Sequence, residues 1–139
     1  MSSALMPRVR VLMLCDGIRA SRIEENVFTL RGARYLVYAD SFPLRRRLQM
    51  FLLLSSPRRG RFPGDVQVVE DETDRVVFHA HLDPMPEFRE DEEHLPLTMP
   101  LNIRFPRAGR YTVRIQFFQE TASDIVKMEQ PFFVVEQER

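Results

Sequence analysis

From Tyr111 to Gln119 the chain sets Tyr, Val, Ile and Phe on one parity and Thr, Arg, Gln and Phe on the other. A pleated strand lying on a core produces this period of two, whereas a helix of about 3.6 residues per turn would scatter the same apolar positions around its axis. The period returns in Arg8 to Cys15, where Val9, Val11, Met13 and Cys15 share one parity and Arg8 and Arg10 the other. Those odd positions define the core face of a first strand. Leu12 and Leu14 then fall on the opposite side, and the second half of the strand is covered on both faces.

Turn signals divide the rest of the chain into short extended pieces. Asp16-Gly17 is read as a turn leading, through a polar stretch, to a second strand at Val27 to Leu30 that Gly32 closes. Tyr35 to Tyr38 forms a third piece, ended by Asp40-Ser41-Phe42-Pro43. Leu48 to Leu54 is the most apolar segment and has the length of a central strand; Ser55-Ser56-Pro57 and Gly60 cut it too short for a buried helix. Val66 and Val68 alternate with Gln67 and Val69, and Asp71-Glu72-Thr73-Asp74 turns them into Val76 to Leu82 as a hairpin. Residues 83 to 96, rich in proline and acid, read as a solvated loop. Leu97 to Phe105 is extended again. Pro106-Arg107-Ala108-Gly109 turns into the strand at Tyr111, and a loop near Glu120 to Asp124 leads to Ile125 to Val135, where Pro131 suits an edge strand or a bulge.

About eight or nine strands at intervals near ten residues predict an all-β chain, folded as an antiparallel sandwich of two sheets. The 139 residues are enough for one domain, 1–139, with loosely held ends at about 1–7 and 136–139. Hydrophobic residues at 44% and charged residues at 29% exclude a disordered chain. Twenty basic and twenty acidic side chains cancel, so net charge draws the molecule to neither nucleic acid nor membrane. The charge is nevertheless uneven: residues 1–64 hold 12 basic and 4 acidic side chains, residues 65–139 hold 8 and 16. Whether these halves separate in space depends on how the sheets interleave them.

Cys15 is the only cysteine, which excludes an intramolecular disulfide. With no apolar run approaching the roughly 18 residues of a membrane span, and an amino-terminal segment unlike a signal peptide, a cytoplasmic location is expected.

The segment Ala108-Gly109-Arg110-Tyr111-Thr112-Val113 resembles the corner of immunoglobulin-like domains, in which a tyrosine opening a late strand turns its hydroxyl back to upstream backbone. Gly109 and Tyr111 are its structural residues, and Val113 stands where antibody domains carry a disulfide cysteine. The order LMLCDGIR, VFTLRGAR, LQMFLLLSSP, VQVVEDETDRVVF and FPRAGRYTVRIQF followed by PFFVV is similar to a bacterial family of immunoglobulin-like β-sandwich domains of unknown function. The resemblance implies the fold and transfers no catalytic residue.

Two constellations carry possible chemistry. His79, His81 and Asp83 share one face of a strand whose other face holds Phe78, Ala80 and Leu82. Two imidazoles and a carboxylate suit zinc or iron, with His94 and Glu90 to Glu93 available to complete the set. An ordinary polar outer face accounts for the same pattern, and no metal or cofactor is expected. Arg45, Arg46 and Arg47 at one end of the apolar strand, and Arg58, Arg59 and Arg61 at the other, form a candidate patch for an anion or a partner. Neither run contains an aromatic residue for stacking, which argues against nucleic acid. Cys15 reads as packing, Ser55, Ser56 and Thr121 lack a base motif, and the carboxylates of Glu90 to Glu93 have no fixed separation, so no catalytic residue is assigned.

The leading expectation is a non-enzymatic immunoglobulin-like binding or assembly module, acting through an exposed sheet face or edge. Leu12, Leu14, the Leu53 parity and Phe118 lie opposite the assigned core face, so the partner expected is a second copy in a homodimer, or another protein. The rival is a small metal-dependent hydrolase or cupin-like enzyme built on His79, His81 and Asp83. A third reading is a carbohydrate- or anion-binding sandwich with Tyr35, Tyr38 and the arginine runs along a groove.

Overall fold

The computed structural model describes residues 6–56, 58–89, 93–119 and 122–137, with the backbone alone at 119 and 122–127. Eleven strands run in the order β1 (Arg8–Ala20), β2 (Phe28–Ala33), β3 (Leu36–Ala39), β4 (Leu44–Ser55), β5 (Gly60–Arg61), β6 (Gly64–Glu70), β7 (Arg75–His81), β8 (Glu87–Phe88), β9 (His94–Phe105), β10 (Gly109–Gln119) and β11 (Ala122–Glu136). No helix occurs among the described residues, so none is long and apolar enough to cross a membrane.

β2-β1-β4-β9 form a four-stranded sheet, β3-β11-β10-β6-β7 a five-stranded one, and β5-β8 a short ladder. Neither larger sheet closes on itself. The antiparallel expectation needs one correction, because β3 runs parallel to β11. That connection spans the whole of β4 to β10, so β3 returns to the sheet far from its sequence neighbours.

Both sheets feed one core. β4 contributes Leu48, Met50, Leu52 and Leu54, and β9 contributes Leu97, Met99, Leu101, Ile103 and Phe105. From the other sheet come Val66 and Val68 of β6, Tyr111, Val113, Ile115 and Phe117 of β10, and Phe132 and Val134 of β11. Rings cross between the layers, with Phe105 4.9 Å from Tyr111 and 5.9 Å from Phe132, edge-on to both. The Tyr111 hydroxyl donates to the Arg107 carbonyl at 2.7 Å, which satisfies the one polar atom of a fully buried ring.

The first strand departs from the alternation read in the sequence. Val9 pairs with Leu54 and Val11 with Leu53, so Arg10 is the extra residue of a bulge. The bulge reverses the parity behind it. Val9 packs on the core, but so do Leu12 at 4% and Leu14 at 1% exposure, while Met13 at 36% faces out. Leu12 and Leu14 are therefore interior residues, and the case for a partner covering them falls. Leu53 and Phe118 are partly buried on the outward parity. Leu14 and Cys15 are both buried, as adjacent residues are when a strand is covered on both faces.

Asp16-Gly17 is not a turn. β1 continues to Ala20, leaving β4 after Cys15 and pairing with β2 instead. A straight strand would place Ala20, and Phe28 opposite it, about 23 Å beyond Met13 at about 3.3 Å per residue. Met13 pairs with Phe51, yet the Phe28 ring lies 5.5 Å from the Phe51 ring. The β1–β2 arm must therefore bend back across the outside of the four-stranded sheet. Gly32, read as the end of the second strand, lies inside it at φ +66°, a conformation open to glycine.

Other boundaries differ less. The segment read as a structureless loop contains β8 and the start of β9; its residues 90–92 lie outside the described residues. Pro131 sits in a strand flanked on both sides, but β3 pairs only with 133–136, so the ladder is open on that side where the proline falls. At the ends, Met6 belongs to the core and the Gln137 amide donates to the Ala39 carbonyl at 2.8 Å.

Candidate functional site

Several groups that chemistry could use are already engaged with one another. On the outer face of the five-stranded sheet, His81 stands opposite Asp65 in register, and His79 stands one pair along, opposite Gln67. Both imidazoles turn onto the Asp65 carboxylate: His81 Nδ1 meets Oδ1 at 2.6 Å and His79 Nε2 meets Oδ2. Asp65 is buried beneath them, whereas His81 is 84% exposed in its side chain. Each oxygen takes one ring, so the nitrogens diverge to two atoms instead of converging on a point. Asp83 lies beyond the end of β7 and does not join them. Among the described residues no group of three or more His, Cys, Asp or Glu is placed to hold a metal ion.

At one end of the four-stranded sheet, Asp16 receives the Arg34 guanidinium through two bonds of 2.6 and 2.8 Å and Arg46 through one of 2.7 Å. These bonds, those of Arg34 foremost, hold the Asp16 carboxyl below the usual carboxylate range. Glu70, almost fully buried, accepts from Arg107 at 2.6 Å and from the Thr73 hydroxyl at 2.6 Å, and Arg107 chiefly holds its carboxyl low. Burial pushes the Cys15 thiol up, away from the reactive thiolate.

The two arginine runs lie at opposite ends of β4 and do not make one surface. Within the first, Arg46 is committed to Asp16. Within the second, Arg58 lies over the Phe62 ring at 4.8 Å and Arg61 pairs with Glu87 at 3.7 Å. Arg59 and Arg58 make further interactions. Arg45 and Arg47 point outward beside β9, where Arg104 stands opposite Arg45 and Asn102 opposite Arg47.

A different surface exposes apolar area. Phe133 and Val135 of β11 lie beside Leu36 and Tyr38 of β3, on the parity opposite the buried Val37 and Val134. Tyr35 is 68%, Tyr38 50% and Phe133 40% exposed, and among the described residues no ring packs on any of the three. Here β3 is the last strand of its sheet, while the opposite edge, β7, lies alongside β9. Sequence reading named Tyr35 and Tyr38 but not Phe133, because a parallel contact across about a hundred residues leaves no local trace.

No family model and no curated protein matches the chain. Among solved structures, the Pseudomonas fluorescens alkylpurine DNA glycosylase AlkC, bound to DNA containing an abasic site analog, is similar over 92% of this chain with a TM-score of 0.56 and 12% identity. The likeness is one of fold, and this chain corresponds to 30% of the length of that one. The PmoD soluble domain from Methylocystis sp. ATCC 49242 (Rockwell) aligns with 97% of this chain and 95% of its own at a TM-score of 0.37 and 13% identity.

Proposed function

We propose that this chain is a non-enzymatic binding or assembly module on an immunoglobulin-like sandwich, working through the β3 edge of the five-stranded sheet. The observation that carries the reading is the concentration of Tyr35, Tyr38 and Phe133, three large exposed aromatic side chains, at one unpaired edge. Aromatic residues dominate interface cores because they bury much area at little cost in side-chain freedom. An open edge adds a row of backbone donors and acceptors that a second strand can complete. Tyr111 bonded to the Arg107 carbonyl and two sheets on one core support the immunoglobulin-like architecture.

The hydrolase reading lacks support, since His79 and His81 each commit one ring nitrogen to Asp65 on the outer face of the sheet and no group of three His, Cys, Asp or Glu among the described residues is placed to hold a metal ion. The DNA in the AlkC structure belongs to that protein, and at 12% identity it argues for no nucleic-acid role here. A lone, buried Cys15 suits a reducing, cytoplasmic setting.

The occupant proposed is a second copy, pairing β3 with β3 so that two five-stranded sheets continue into one. Such an interface should bury about 1,200–2,000 Å² in total. Light scattering at micromolar concentration should give twice 16.4 kDa, and the double variant Tyr38→Asp with Phe133→Asp should give 16.4 kDa with unchanged thermal unfolding. The single mass for the wild type would overturn the homodimer.

A further inference from the structure

The strands of the four-stranded sheet carry eight arginines, Arg8, Arg10, Arg19, Arg31, Arg45, Arg46, Arg47 and Arg104, and a single carboxylate, Asp16. Asp16 is saturated by Arg34 and Arg46. That leaves the sheet no carboxylate for the arginines at the β4–β9 end. Register places Arg45 directly opposite Arg104 and Arg47 opposite Asn102. Leu48 and Met50 on β4, and Ile103 and Phe105 on β9, are buried, so Arg45, Arg47, Asn102 and Arg104 all project from the outward face, and all four are exposed. Among the described residues none of the three arginines has an ion-pair partner.

Like charges directly across a strand pair oppose each other, and a sheet shaped only by stability would set a carboxylate at one of these positions. Three guanidinium forks and a carboxamide instead line a shallow depression of about 540 Å³ floored by the Arg46–Ile103 pair. Every guanidinium hydrogen is a donor, in the planar fork geometry that fits a tetrahedral oxyanion with two oxygens per fork. We infer that Arg45, Arg47, Arg104 and Asn102 form a phosphate-binding site on the four-stranded sheet. It lies on the other sheet from the β3 edge and does not depend on that interface. The bound group is a phosphate, supplied free or as part of a phosphodiester chain.

The test titrates inorganic phosphate, and separately a single-stranded oligothymidylate, into the full chain while amide resonances are followed by NMR. Saturable shifts at residues 45–47 and 102–104 are expected. Arg104→Glu, which faces Arg45 with an opposite charge, should unfold no lower than the wild type and should weaken binding about tenfold. Arg8→Glu makes the same charge change near the far end of β4, opposite Ser55, and should leave affinity within about twofold. If the oligonucleotide binds, its logarithmic salt slope should fall by about one per arginine removed, which assigns a polymer as the source. Saturable binding of inorganic phosphate alone assigns a free one. Absence of saturable shifts with either probe overturns the site, and so does an equal loss of binding in Arg8→Glu and Arg104→Glu.

Discussion

Asp16 and Glu70 show how single side chains tie this fold to pH. Both carboxyls are held low by arginine partners, so each favours the folded state fully above its unfolded pKa and loses that contribution as pH falls through its lower folded value. Acid should therefore destabilise the protein progressively from about pH 4 downward. Glu70→Gln should cost about 1–2 kcal/mol at neutral pH, measured by urea denaturation, and flatten the acid limb of the stability curve. Tyr111→Phe, which strips the hydroxyl from the Arg107 carbonyl, should cost about 1 kcal/mol while leaving the ring packing intact. The tyrosine corner was legible because its geometry is local: the acceptor lies four residues upstream, inside one turn. Asp65 was not. It meets His79 and His81 across a hairpin, whereas sequence spacing groups the two histidines with Asp83, the acid nearest them along the chain.

At the scale of the strand, one bulge explains the largest misreading. Arg10 occupies an extra position against β4, and a single inserted residue in a period-two pattern exchanges every face that follows. The strand itself was plain in the sequence; which side of it was interior was fixed by an irregularity with no compositional mark. The bent β1–β2 arm was hidden for a related reason, since Asp16-Gly17 has turn chemistry and here serves an ion cluster inside a strand. Gly32 makes that cluster possible: a Cβ there would collide with the Asp16 carboxylate. Gly32→Ala should therefore destabilise through both φ strain and displacement of Asp16, by about 1–3 kcal/mol, whereas an exposed glycine without such neighbours would cost less. Phe28→Ala removes the ring that shields Phe51 and should lower stability by about 1–2 kcal/mol. If the arm did not reach across the sheet, that substitution would be silent.

Over the whole molecule, the arginine excess of the first half of the chain gathers in one layer: the strands of the four-stranded sheet hold eight arginines and one carboxylate, those of the five-stranded sheet four basic and five acidic residues. β1, β2 and β4 of the four-stranded sheet come from the arginine-rich half and only β9 from the other, while β6, β7, β10 and β11 of the second sheet all come from the acidic half. The interleaving on which the separation of the two halves depends is confined to β3 and β9. Composition could show the imbalance but not its direction in space, because that depends on which strands share hydrogen bonds. The arrangement gives a protein of zero formal net charge one strongly basic layer. An ion-exchange resin contacts one side of a particle at a time, so at pH 7 this chain, with a formal charge of zero, should still be retained by a sulfopropyl column at low salt. Replacing Arg45 and Arg104 by glutamine should advance its elution more than replacing Arg110 and Arg114 of the opposite layer by glutamine, although the formal net charge changes by the same amount in either case.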